Sequence, residues 1–323
     1  MNTSIVPMKL GDIFDKIFRL IPKTALRNLI IAIIVLLPAA IFFTYGMDFF
    51  FSTISQFSLT EETAEATNNE AVFNIFKAVS VYLFSFFFFI ISFVAATLGI
   101  IIVGCSEMTE QPLSWREAMV RTFSVRLLRV YGQIFLEYLA IGCLFIFPFI
   151  FIAAGVGADS VGITLTGVFL LLVVFIFAIY LWVRWAFALP AIAWEDAGIM
   201  QSFSRSCLLV NGFWWRTFGI LILLNLIAQF AVSMITTPIS LIAFWDFFLH
   251  YFEMINSIAS GAPNSQMPLE LFDSFGISFG IVTFISYVLM LLVTPHITTI
   301  MYFDLRARND EFVQPPQDLI EKV

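Results

Sequence analysis

The chain has 323 residues, 60% of them apolar and 12% charged, where a soluble globular protein carries about 25% charge. Forty phenylalanines and repeated apolar runs of 20 or more residues exclude an ordinary soluble domain and predict a polytopic membrane protein. The net charge of −7 hides an alternation along the chain, which becomes clear when the segments are taken in order.

Residues 10–23, LGDIFDKIFRLIPK, predict an amphipathic helix. Leu10, Ile13, Phe14, Ile17 and Ile21 share one face, and Asp12–Lys16 and Asp15–Arg19 form i,i+4 pairs on the other. Pro22 is expected to stop or kink it. The first span, 29–51, has no small-x-small site after it and is expected to stay as an anchor. The loop that follows is acidic, with Glu61, Glu62, Glu65 and Glu70, and leads to a second span at 77–104. In SWREAMVRTFSVRLLR, Ser114 and Glu117 make a capping-box start, and Arg116, Arg121, Arg126 and Arg129 make the segment basic. Spans three and four, 131–155 and 162–189, are joined by a short turn expected to contain Gly155 and Gly157.

Span four ends in YLWVRWAFALPAIAWEDAG. Trp182, Trp185 and Trp194 suit the headgroup level, Pro190 is expected to end the helix, and Asp196 to N-cap the next one. Ile199, Met200, Phe203 and Cys207 recur there at helical spacing before an Asn211-Gly212 stop. Span five, 216–243, is followed by an aromatic, helix-like stretch, the breaker SGAPNSQMP, and span six at 276–303.

Fifteen of the 16 Lys and Arg fall in alternate segments. Basic loops stay in the cytoplasm, so both termini are placed inside. The expected fold is an all-α integral membrane protein with six transmembrane helices as three hairpins. Each hairpin is preceded by a basic amphipathic helix lying in the interface, apolar face toward the acyl chains. Pro38, Pro148 and Pro238, late in the odd spans, make the three units look alike.

The chemistry-bearing residues are few. Only His250 and His296 exist, Cys105, Cys143 and Cys207 have no metal or CxxC spacing, and no HExxH, Walker or GxSxG motif occurs. No catalytic residue, metal, cofactor or nucleic-acid partner is expected. Glu137, Arg184, Asn225, Gln229 and His296 are ionisable or polar within spans. They form a candidate intramembrane cluster, serving helix packing or lining a vestibule open to the cytoplasm. Glu137 and Arg184, at similar depth in consecutive spans, are expected to pair. Arg19, Lys23, Arg116, Arg121, Arg126, Arg129, Arg205 and Arg216 are the candidate contacts to anionic lipid headgroups. The expected function is a non-catalytic, lipid-interacting or scaffolding module of a bacterial cytoplasmic membrane, with a transporter-like protein as the alternative. Self-association or a membrane-protein partner is compatible with either.

The stretch RWAFALPAIAWEDAGIMQSFSRSCLLVNGFWWRTFGILIL resembles the membrane-domain family of glycerophosphoryl diester phosphodiesterases and its stand-alone relatives. The matching positions are Arg184, Ala188-Leu189-Pro190, Glu195, Arg205-Ser206, Leu208, Gly212, Trp214 and Arg216. The tail YFDLRARNDEF, residues 302–312, is similar to that family's ending. The resemblance implies a multi-helix membrane module. The soluble phosphodiesterase barrel of some relatives, with its paired histidines and metal-binding carboxylates, has no counterpart here, so that activity is not expected.

Overall fold

The computed structural model describes residues 6–60, 68–260 and 275–309. Among these residues the secondary structure is helical. In chain order the helices are α1 (Leu10–Thr60), α2 (Asn68–Met108), α3 (Trp115–Thr122), α4 (Val125–Gly157), α5 (Val161–Trp185), α6 (Ala188–Glu195), α7 (Ile199–Val210), α8 (Trp214–Ala243), α9 (Trp245–Ala259) and α10 (Phe275–Arg308). Six of them (α1, α2, α4, α5, α8 and α10) are long and apolar enough to cross a membrane. The chain is a multi-pass helical membrane protein.

Several local expectations change. The first basic segment is not a separate helix: α1 runs unbroken for 51 residues through Pro22, a rise of about 76 Å at 1.5 Å per residue. Proline removes one helical donor, while packing holds the helix on either side. Ile13, Ile17, Leu20 and Thr24 form a buried stripe, and the Thr24 hydroxyl donates to the Leu20 carbonyl at 2.9 Å. The stripe therefore faces protein, not acyl chains as expected, while Leu10 and Phe18 are exposed.

The second basic segment divides. α3 begins with the expected Ser114/Glu117 capping box, and Ser124 then caps α4, so Arg126 and Arg129 belong to the first turns of a long helix. Gly155 and Gly157 lie in the last turn of α4, not in the α4–α5 connection. The expected span at 162–189 falls within an apolar stretch, Val161–Glu195, that is broken into two helices: α5 stops at Trp185 and α6 starts at Ala188. Pro190 is the third residue of α6, where a helix has no use for the missing N–H, so it begins a helix rather than ending one. Asp196 is not an N-cap either. It is the left-handed C-cap of α6, at φ 55°, and Gly198 precedes α7 with its N–H held by the Gln201 side chain at 3.0 Å. α9 matches the helix expected in the aromatic stretch after span five; most of SGAPNSQMP lies outside the described residues.

The chain divides into two compact units. One comprises residues 1–24, 98–225 and 295–323, the other 25–97 and 226–294. In the first, α6 is buried almost throughout, with Ala188, Pro190, Ala191, Ile192 and Ala193 inaccessible. The last turns of α2 and α10 are buried too, including Ile100–Val103 and Ile300–Phe303. The α4–α5 hairpin of this unit closes over glycines, Gly155 facing the Thr164 backbone and Gly167 facing that of Ile152. The second unit packs on aromatic rings: Phe43 stacks on Phe89 at 5.2 Å, Phe50 on Tyr82 at 5.3 Å, and Tyr287 meets Phe93 edge-on at 5.1 Å. There Gly276 and Gly280 let α10 approach α1 at Asp48 and Thr44.

Candidate functional site: an arginine–carboxylate network

All Lys and Arg other than Arg27 and Lys77 belong to the segments of the first unit. Most of its arginines converge there on three carboxylates, each shared by two guanidinium groups.

Glu195 closes α6. Arg205 of α7 forks onto it, Nε to Oε2 and Nη2 to Oε1, both at 2.9 Å, the bidentate geometry that suits guanidinium and carboxylate. From α10, Arg306 approaches Oε1 at 3.5 Å and the Tyr302 hydroxyl donates to the same oxygen. One residue on, the left-handed turn sends Asp196 elsewhere. Arg126 Nε and Arg129 Nη1 of α4 reach its Oδ1 at 3.0 and 2.9 Å, and Arg129 Nη1 also reaches its backbone carbonyl at 2.8 Å. Aspartate tolerates that backbone region better than most residues. The Arg126 hydrogen bond, aided by the charges of Arg126 and Arg129, holds the Asp196 carboxyl below its ordinary range.

The third carboxylate, Asp304 of α10, is fully buried. It accepts from Arg216 Nη1 at 2.6 Å, Arg308 Nε at 3.0 Å and the Met8 N–H at 2.7 Å. The same two arginines donate to the Met8 carbonyl at 2.9 and 2.6 Å. The backbone of one residue ahead of α1, Met8, is thus gripped at both its N–H and its carbonyl. Ser206 supplies a neutral tie, accepting from the Phe187 N–H at 3.1 Å and donating to the Arg184 carbonyl at 2.6 Å, which fixes the turn between α5 and α6. Lys23 pairs with the nearly buried Glu107 at 2.6 Å, and Thr24 meets His296 Nε2 at 3.0 Å.

Of the candidate lipid contacts, Lys23, Arg126, Arg129, Arg205 and Arg216 are thus engaged with carboxylates of the protein. Arg19, Arg116 and Arg121 are exposed, and no described carboxylate forms an ion pair with them. The intramembrane residues do not converge. Glu137 accepts from Gln133 at 2.6 Å, Arg184 donates to Tyr180 at 3.0 Å, and Asn225 donates to the Leu221 carbonyl at 2.8 Å, each within its own helix. The expected Glu137–Arg184 pair is therefore not formed, because each residue has a partner one turn away. Gln229 is exposed and belongs to the other unit, and His296 is buried beside Thr24.

Glu195, Arg205, Ser206, Arg216 and the YFDLRAR segment all lie in the stretches that carry the family resemblance, whose spacing does not show that they meet. Asp304, Arg306, Arg308, Tyr302, Glu107 and Met8 join the network without being among the residues expected from the sequence. One signal is in the sequence: Asp304 and Arg308, at i,i+4, put opposite charges on one face of the helix end. No known protein family, curated protein or solved structure matches the chain.

Proposed function

We propose that this chain is a non-catalytic, lipid-interacting module of a cytoplasmic membrane, with its basic connections toward the cytoplasm and anionic headgroups as its partners. The observation that carries the reading is the corner between α3 and α4. Arg116 and Arg121 are exposed there beside exposed Val120, Phe123, Val125 and Leu128. Basic and apolar side chains side by side suit a segment lying where acyl chains meet headgroups. The alternation of basic and non-basic connections supports the same orientation. The resemblance to the phosphodiesterase membrane-domain family agrees with a membrane module without catalytic groups.

The exposed arginines give the direct test. Replacing Arg19, Arg116 and Arg121 together by Gln should lower the phosphatidylglycerol that co-purifies with the protein, measured by quantitative lipid mass spectrometry. A basic residue at such a surface contributes about 1 kcal/mol, so each change should weaken retention roughly five-fold. Unchanged anionic lipid would reject the reading.

A further inference from the structure

We infer that the groove between the start of α4 and Asp196 is a binding site for a phosphate-ester anion, and that the Asp196 carboxylate is a built-in occupant that the ligand displaces. The groove has a volume of about 720 Å³ and is lined by Arg121, Ser124, Arg126, Arg129 and Asp196, with Val120 and Val125 alongside. That is room for a headgroup-sized ligand.

The charge count favours an anion: three guanidinium groups face one carboxylate. The geometry favours it as well. Arg126 Nε and Arg129 Nη1 converge on one oxygen, Asp196 Oδ1, at 3.0 and 2.9 Å. Two forks aimed at one point suit an oxyanion with several acceptor oxygens, which could engage more of their donors than a single carboxylate oxygen does. Arg121 adds charge nearby. The N-terminus of the 33-residue α4 opens at the same place, with Ser124 accepting from the Arg126 N–H at 3.3 Å, and its dipole favours negative charge.

Asp196 is suited to yielding. Its side chain is 55% exposed, and an ion pair in contact with water is weakly held. This separates it from Asp304, which is buried and tied to backbone as well. The exposed Val120 and Val125 give an acyl chain a surface to lie on. The inference rests on the proposed function for the source of the ligand, a lipid headgroup, but not for its phosphate chemistry.

The test uses the full chain in nanodiscs of phosphatidylcholine, titrated with phosphatidylglycerol in one arm and with glycerol 3-phosphate in the other, with binding followed by native mass spectrometry. Asp196→Asn and Asp196→Gly both suit a left-handed backbone, so either serves if the other fails to fold. Both should tighten binding about three-fold by removing the competing charge, and Arg126→Gln with Arg129→Gln should abolish the gain. A gain in both arms assigns a phosphate site open to solution; a gain with the lipid alone assigns a headgroup site. Folded Asp196 variants that bind no more tightly than the native chain would overturn the inference and leave Asp196 as a staple between α4 and α6. If that result came with lipid loss on replacing Arg19, Arg116 and Arg121, the proposed function would stand and this site alone would fall.

Discussion

At the scale of single residues, burial separates ionic groups that look alike in the sequence. Asp304 is fully buried and holds Arg216, Arg308 and the Met8 N–H. Asp304→Asn would leave two guanidinium groups without their counter-charge, and breaking a buried pair in this way costs about 3–5 kcal/mol. Denaturant unfolding in detergent should show that loss. Arg216→Lys, which keeps the charge but forfeits the second donor to Met8, should lose less. Glu137 and Arg184 give the opposite expectation. Since each bonds within its own helix, Glu137→Gln and Arg184→Ala should be additive in thermal stability; a double variant more stable than the sum would show coupling. Two exposed carboxylates set a pH dependence. Ser114 hydrogen bonds, backbone first, lower the pKa of Glu117 from 4.5, and the Arg126 hydrogen bond lowers that of Asp196 from 3.8. A lowered folded-state pKa stabilises above the unfolded value and is lost as pH falls through the folded one. Acid titration should therefore destabilise the native chain below about pH 4.5, and Glu117→Gln with Asp196→Asn should flatten that limb.

At the scale of elements, glycines set how closely helices meet. A Cβ on Gly155 would lie 2.5 Å from the Thr164 backbone nitrogen, and one on Gly167 2.7 Å from that of Ile152. Backbone cannot move aside as a side chain does, and small residues are what allow helices to approach in a bilayer. Gly155→Ala and Gly167→Ala should each cost about 1–3 kcal/mol through overpacking. Gly157 is the control: nothing lies within 4 Å of its added Cβ, so Gly157→Ala should be neutral or slightly stabilising, by up to about 1 kcal/mol. Thermal unfolding of the three variants in one detergent would decide it. The same scale explains α1. Pro22 is a strong stop signal in isolation, yet a buried stripe of Ile13, Ile17 and Leu20 on one side and a long apolar run on the other keep the helix continuous.

At the scale of the whole molecule, the proposed orientation puts the α4–α5 turn and α9 outside and the basic connections inside. In a chain with Cys105, Cys143 and Cys207 replaced, cysteines at Ala158 and Glu253 should react with an impermeant thiol reagent in intact cells. Cysteines at Arg116 and Ser204 should react only after lysis. Labelling of the second pair in intact cells would reverse the orientation. Glu65 and Ser265, which the alternation of basic segments puts outside, and Asp310, which it puts inside, lie outside the described residues.

The sequence by itself determined that the chain crosses a membrane on six apolar helices, because a run of about 20 apolar residues has no other stable environment. It also determined the α3 cap, since Ser114 and Glu117 interact over one local turn. The network was another matter. Arg126 reaches Asp196 across 70 positions, Arg216 reaches Asp304 across 88, and Tyr302 reaches Glu195 across 107. Spacing along a helix cannot express such pairings, and an arginine bound for a headgroup has the same letter as one bound for a carboxylate. Only tertiary packing decided which cations are spent inside the fold and which face outward: it set the partner, the burial and the left-handed turn that sends Glu195 and Asp196 to different arginines.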